Sequence, residues 1–121
     1  MNILLTGGAG YIGSHAAAAL SEAGHSVFLY DNFSNCSKTI PNNLALILGK
    51  PVIFIEGDIR DQPLLEKTLA NYCIEAVMHF AGQKAVGESM NLPLEYYDNN
   101  VGGSLSLLRA MIAQNVKNLV F

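Results

Sequence analysis

"TGGAGYIGSH", Thr6 to His15, follows directly on the apolar run Ile3, Leu4, Leu5 and decides how the rest of the chain is read. Four glycines, Gly7, Gly8, Gly10 and Gly13, fall within its seven central positions. Glycine loses more backbone freedom on folding than any other residue, so such a cluster belongs where backbone turns sharply or is closely approached. Gly8, Gly10 and Gly13 spell G-x-G-x-x-G between a strand and a helix, the context that gives this pattern meaning. One glycine permits the tight turn, another lets backbone approach a pyrophosphate, and a third allows close helix–strand packing. The helix N-terminus then presents free N–H groups to the anion. Gly7, Gly10 and Gly13 satisfy a second register, T-G-x-x-G-x-x-G, and the glycines alone do not separate the two.

Outward from this motif, short apolar runs rich in β-branched residues alternate with helical patterns. Asn2–Thr6, Ser26–Tyr30, Pro51–Glu56, Glu75–Phe80 and Asn118–Phe121 read as five strands. Each is almost continuously apolar, as parallel strands covered on both faces are. Helices are predicted over Tyr11–Ala23, closed by Gly24, and over Pro41–Leu48, closed by Gly49. Gln62–Tyr72 follows Asp61 as N-cap with Pro63 in its first turn, and Pro93–Asn115 follows Asn91 in the same way. Strand and helix in alternation predict an α/β fold, a doubly wound parallel sheet with right-handed crossovers in one domain. The apolar run "KNLVF", Lys117–Phe121, ends the chain without a cap. The expectation is a sheet truncated after its fifth strand, with an open edge prone to pairing with other chains.

Composition narrows the function classes. The 121 residues are 50% hydrophobic and 14% charged, with a net charge of −3, and the mean hydropathy is +0.27. No cluster of Lys and Arg is present to neutralise phosphates, which argues against nucleic acid or an anionic membrane surface as partner. No secretory signal and no continuous apolar span is present, so a cytoplasmic protein is expected. Cys36 and Cys73 match no disulfide framework or metal-ligand spacing. His15, His25 and His79 lack neighbouring Cys or carboxylates at ligand spacing, so no metal site is expected.

Residues at strand ends carry the remaining chemistry. Asp31 closes "SVFLYD", 18 residues beyond Gly13, where a carboxylate accepts both hydroxyls of an adenosine ribose. A carboxylate there repels a 2′-phosphate, and no Arg follows it, so NAD is favoured over NADP. Asp58 in "IEGDIRD" ends the third strand on the same sheet edge, placed to accept an adenine amino group with Ile59 against the ring. "HFAG", His79–Gly82, ends the fourth strand at the switch point, where small Ala81 and Gly82 let backbone pass near the ribose. His79 itself reads as an anchored strand-end residue.

The T-G-x-x-G-x-x-G spacing resembles the extended short-chain dehydrogenase/reductases. With "EGDIRD", "FAGQKAVGES" (Phe80–Ser89), "PLEYYDNNV" (Pro93–Val101) and "NVKNLVF" (Asn115–Phe121), the chain is similar along its whole length to the UDP-glucose 4-epimerase family. The resemblance implies a Rossmann-type NAD-binding fold. It implies cofactor contacts from Gly7, Gly10, Tyr11, Ile12 and Gly13 in the glycine loop, and from Asp31, Asn32, Phe33, Ser34, Asn35 and Cys36. Asp58 and Ile59 would add contacts, with Phe80, Ala81, Gly82, Gln83 and Lys84 at the nicotinamide half and Asn99 reaching in from the long helix. It also implies a UDP-sugar substrate and a homodimer through helix 93–115, whose apolar stripe includes Leu105, Leu108 and Ile112.

The family's base is the tyrosine of a Tyr-x-x-x-Lys pair, whose lysine lowers its pKa. Here Tyr11, Tyr30, Tyr72, Tyr96 and Tyr97 are followed four places on by His15, Ser34, Ala76, Asn100 and Val101. No catalytic residue is therefore expected among these 121 positions, which read as the N-terminal, NAD-binding portion. Two rival readings remain: another extended short-chain dehydratase or decarboxylase acting on nucleotide sugars, and a non-catalytic NAD-sensing protein.

Overall fold

Leu4, Leu5 and Thr6 have no exposed surface, because the strand that carries them lies at the centre of the sheet. The computed structural model describes residues 1–121. Strand β1 (Asn2–Thr6) pairs in parallel with β2 (Ser26–Asp31) on one side and with β4 (Ala76–His79) on the other. β3 (Ile53–Glu56) extends the sheet beyond β2, and β5 (Asn118–Val120) extends it beyond β4, giving the order β3-β2-β1-β4-β5.

Successive side chains of a strand point to opposite faces, and both faces of β1 are covered. Ile3 and Leu5 pack with Ala17, Leu29 and Leu44 beneath α1 (Tyr11–Glu22) and α2 (Ile40–Leu48). Leu4 packs with Phe28, Tyr30, Leu65, Val77, Leu107 and Met111 against α3 (Gln62–Asn71) and the last long helix. Each fully buried Leu or Val contributes about 1.5–3 kcal/mol of burial energy, so these two layers account for most of the fold's cohesion. The doubly wound α/β sheet is the one the sequence predicts. Chain order reverses between β1 and β4, and a crevice opens there at the carboxyl ends of the strands, where such sheets bind ligands.

Local signals set the helix ends. The Asp61 carboxylate accepts the Leu64 N–H at 3.0 Å, capping α3 as expected. Gly49 ends α2 at φ +65°, and Gly24 sits just past α1 at φ +89°.

Four expectations need correction. Three strands are shorter than the apolar runs: Pro51 and Val52 lie outside β3, Glu75 and Phe80 outside β4, and Phe121 outside β5. The edges are also half-exposed, since β3 and β5 are covered less completely than β1. A short helix, α4 (Val86–Asn91), forms where none was predicted. The predicted helix Pro93–Asn115 is instead α5 (Pro93–Tyr97), a π-helical turn (Asp98–Gly102) and α6 (Gly103–Ala113), with right-handed helical backbone maintained through both junctions. The break falls where α6 passes the loop after β3: a Cβ on Gly103 would overlap Ile59. No helix is long and apolar enough to cross a membrane.

Candidate functional site

The turn after β1 is built around one backbone conformation. Gly7 takes φ +68°, its N–H donates to the Tyr30 carbonyl at 2.8 Å, and a Cβ would come within 2.6 Å of the Ala81 nitrogen. Only glycine fits a left-handed position so close to a neighbouring chain segment. Gly10 then leads into α1 with no side chain capping the helix. The N–H groups of Tyr11, Ile12 and Gly13 find no acceptor in the protein. A helix start with free N–H groups and no acidic residue in its first turn is a standing attraction for an anion.

Beside this turn lies an open cleft lined by 15 residues. Gly7 and Gly10 form one wall, and Asp31, Asn32, Ser34, Asn35 and Cys36 form a second. Ile59, Phe80, Ala81, Gly82, Gln83 and Asn99 close the far side, and Tyr30 and Gly57 contribute to the lining. Segments from the ends of β1, β2, β3 and β4 and from the π-helical turn thus converge on one space.

Asp31 is already at work within the fold. Its Oδ2 accepts the Ala9 N–H at 3.0 Å and its Oδ1 accepts the Phe33 N–H at 2.9 Å. The carboxylate therefore ties the glycine turn to the loop after β2, and a carboxylate has about four acceptor positions, so capacity remains for a ligand. Burial first, and then the charge of Asp31, pushes the Cys36 thiol up to about 11, which keeps it unreactive near neutral pH. Phe33 sits at φ 55°, unusual for a bulky residue. Its ring turns away from the cleft onto Phe54, 4.6 Å between centroids, and under Lys38.

Asp58 is saturated. Oδ1 accepts from Arg60 N and Nε, both at 2.9 Å. Oδ2 accepts from Arg60 Nη2 at 2.8 Å and Asn32 Nδ2 at 3.1 Å. Hydrogen bonds from Arg60 hold this carboxyl well below the usual carboxylate range, against the opposing effect of its partial burial. Beneath it, the buried Tyr30 hydroxyl donates to the Asp58 carbonyl at 2.8 Å, and burial raises that phenol above its ordinary value.

His79 behaves as an anchor. Nδ1 lies 2.6 Å from Thr6 Oγ1 and Nε2 3.1 Å from Ser104 Oγ, so both ring nitrogens are engaged. Burial, and secondly the charge of Lys84, lower its pKa.

Residues 3–121 match the model of the NAD dependent epimerase/dehydratase family. The chain belongs to that family. Among curated relatives it is 51% identical to a UDP-glucose 4-epimerase of Klebsiella pneumoniae, over all of this chain and 87% of that protein. It is 50% identical to the UDP-glucose 4-epimerase of Yersinia pestis, over all of this chain but 36% of that one. Among solved structures, UDP-glucose-4-epimerase from Stenotrophomonas maltophila, with bound NAD and formylated UDP-arabinopyranose, superposes with a TM-score of 0.98 at 45% identity. The Bifidobacterium longum UDP-glucose 4-epimerase in complex with NAD+ and UDP gives 0.97, also at 45% identity. In both structures this chain is covered completely and spans 36% of the other, so it corresponds to about a third of such an enzyme.

Of the positions singled out in the sequence for this family's cofactor, thirteen line the cleft: Gly7, Gly10, Asp31, Asn32, Ser34, Asn35, Cys36, Ile59, Phe80, Ala81, Gly82, Gln83 and Asn99. Tyr11 and Ile12 are exposed and Gly13 is buried against the Gly7 turn; none of the three lines the cleft. Phe33 and Asp58 stand outside it, for the stacking and ion-pairing reasons just given, and Lys84 is exposed at its margin.

Tyr30 and Gly57 in the lining escaped the sequence reading, and so did two residues that order the site. Asn100 Oδ1 accepts the Gln83 N–H at 2.8 Å while its Nδ2 donates to the Gln83 carbonyl at 2.8 Å, gripping that loop as a strand neighbour would. Asn99 Nδ2 donates to the same Oδ1 at 2.9 Å. Arg60 was the other, and only its charge in "EGDIRD" could have suggested a partner. No group of three or more His, Cys, Asp or Glu is arranged to hold a metal ion.

Proposed function

We propose that the cleft binds NAD and that this chain is the cofactor-binding part of an enzyme that interconverts UDP-glucose and UDP-galactose. The observation that carries the reading is the row of unpartnered N–H groups at Tyr11, Ile12 and Gly13, set beside a cleft that Asp31 also lines. A dinucleotide needs both features: donors for its pyrophosphate and an acceptor for its adenosine ribose. The close backbone approach at Gly7, where a Cβ has no room, fits the same ligand. Relatives at about half identity carry the UDP-glucose 4-epimerase name, and solved relatives hold NAD together with UDP or a UDP-sugar.

In this reading Gly7, Gly10, Tyr11, Ile12 and Gly13 seat the pyrophosphate through backbone. Asp31 and the loop to Cys36 hold the adenosine ribose, and Ile59 packs on adenine. An adenine amino group would take the place of Asn32 Nδ2 at Asp58 Oδ2. Phe80 to Lys84 and Asn99 surround the nicotinamide half. The bound cofactor supplies reversible hydride acceptance at C4 of the UDP-hexose. The base, a Tyr-x-x-x-Lys pair in the resembled family, belongs to a part of the enzyme outside these residues. The protein acts in the cytoplasm as a homodimer, assembled through the exposed apolar side chains Leu105, Leu108 and Ile112 of α6.

Titration calorimetry on the intact protein tests the cofactor, and conversion of UDP-galactose tests the reaction. NAD should bind more tightly than NADP, and Asp31→Ala should weaken NAD by about 10- to 100-fold, the cost of losing charged hydrogen bonds. Equal affinity for the two dinucleotides would overturn the assignment of Asp31. Failure to convert UDP-galactose with NAD bound would overturn the substrate.

A further inference from the structure

Arg60 joins two neighbouring segments at the rim of the cleft. Its Nε and Nη2 grip the Asp58 carboxylate from the loop after β3, at 2.9 and 2.8 Å. Its Nη1 donates to Asp98 Oδ2 at 2.8 Å, and Asp98 is the first residue of the π-helical turn. Neither carboxylate lines the cleft, but each stands next to residues that do. Asp58 accepts from Asn32, which lines the adenosine side, and Ile59 follows it directly. Asp98 precedes Asn99, which also lines the cleft, and Asn100, which grips the Gln83 backbone. A relay of side chains therefore runs along the rim, from Asp58 through Arg60 and Asp98 to the turn that orders Gln83.

We infer that Arg60 is a positioning residue of the dinucleotide site, fixing the spacing between the adenosine-side loop and the π-helical turn. The inference rests on the NAD reading above. The bonds are not there chiefly for stability, since Arg60 and Asp98 side chains are 44% and 65% exposed and exposed ion pairs contribute about 0–1 kcal/mol. What the planar fork supplies is geometry: it matches a carboxylate in two prongs and still has a third donor for a second partner. A π-helical turn has one residue more than the α-helix around it needs, and such single-turn insertions are frequent at functional sites. Were it to relax to α-helical winding, Asn99 and Asn100 would rotate about the axis and release Gln83. Arg60 holds its first residue and the Gln83 backbone holds Asn100 at its middle, so the turn is pinned at two points.

A thermodynamic cycle on the intact protein tests this, with NAD affinity from calorimetry and melting temperature measured on the same samples. Arg60→Gln should weaken NAD about tenfold and Asp98→Asn about fivefold, with the double variant no worse than Arg60→Gln alone, because the two act through one link. Arg60→Lys keeps the charge but not the fork and should behave like Arg60→Gln. A double variant whose loss is the product of the single losses would overturn the inference. So would unchanged affinities accompanied only by lower melting temperatures, since a merely structural bridge moves the second readout and not the first. If the unsubstituted protein binds no NAD, the functional reading fails and this role fails with it. If it binds NAD and the losses are independent, only the role of Arg60 fails.

Discussion

Gly13→Ala sets two effects of opposite sign against each other, and the structure says which wins. Gly13 is the third residue of α1 and is buried. Helix propensity alone favours alanine there by about 1 kcal/mol. A Cβ, however, would overlap the Gly7 carbonyl oxygen and lie 2.8 Å from Gly8 Cα, 3.1 Å from the Gly7 carbonyl carbon. Ordinary carbon contacts begin near about 3.5 Å, so the helix start must retreat from the turn by more than half an ångström. The obstructing atoms are backbone, which cannot swing aside as a side chain does. Overpacking of this kind costs typically about 1–3 kcal/mol and occasionally more. We expect a net loss of about 1–2 kcal/mol, taking the upper part of the steric range for backbone obstruction. For a cooperative unit of this chain's 121 residues, that lowers the melting temperature by about 4–8 °C. The retreat also carries the free N–H groups of Tyr11 and Ile12 away from the ligand, so NAD affinity should fall by at least about tenfold. Gly87→Ala is the control: Gly87 lies in α4 with nothing within 4 Å of the added carbon, and it should melt no lower than the parent. Differential scanning calorimetry and NAD titration on both variants decide the matter. A Gly13→Ala protein that melts at or above the parent and binds NAD normally would refute the reasoning.

Protonation and self-association give two further expected outcomes. The folded-state pKa of His79 is lowered, by burial first and Lys84 second, so the unfolded chain binds a proton that the folded chain refuses. Stability is therefore full above the ordinary histidine pKa of about 6.5 and declines as pH falls below it. Thermal melts between about pH 7.5 and about pH 5.5 should show this slope, and His79→Gln should flatten it; an unchanged slope would assign it elsewhere. Ile112, 79% exposed on α6, belongs to the proposed self-association face. The intact protein should give a dimer mass by light scattering and Ile112→Glu a monomer, while a monomeric parent would remove the face from consideration.

The glycine turn, the strand order along the chain and Asp31 were legible because each depends on local chemistry. A positive φ demands glycine, parallel strands demand long apolar runs, and a carboxylate ending β2 beside a glycine turn suits a ribose. The winding of the last helix was not legible, because an inserted residue leaves the 3.6-residue pattern intact on either side. Asp98, Asn99, Asn100, Gly102 and Gly103, clustered within six positions, are poor helix formers, and that weakness was the available signal. α4 was hidden by its shortness and by Gly87. For Asp58 and Phe33 the residue order reveals position, at a strand end or in the following loop, but not direction. Arg60 claims the Asp58 carboxylate and Phe54 the Phe33 ring, through contacts 2 and 21 residues away in the chain. Residue type marked the site; neighbours that only the fold brings together decided which atoms face it.

The central place of β1 has a consequence for the order in which the molecule comes together. Thr6 pairs with Tyr30 across 24 positions but with His79 across 73. Closing the longer separation costs more chain entropy and proceeds more slowly. The β1–α1–β2 unit contains the glycine turn and Asp31, and so holds the donors and the acceptor of one end of the cleft. Phe80, Ala81 and Gly82 arrive only when β4 docks on the other side of β1. During synthesis the ribosome therefore releases half of the cleft many residues before the other half. A ligand that spans both walls can be gripped only after the last inner strand is in place. It then acts as a lock on a sheet already closed, not as a template around which the first strands gather.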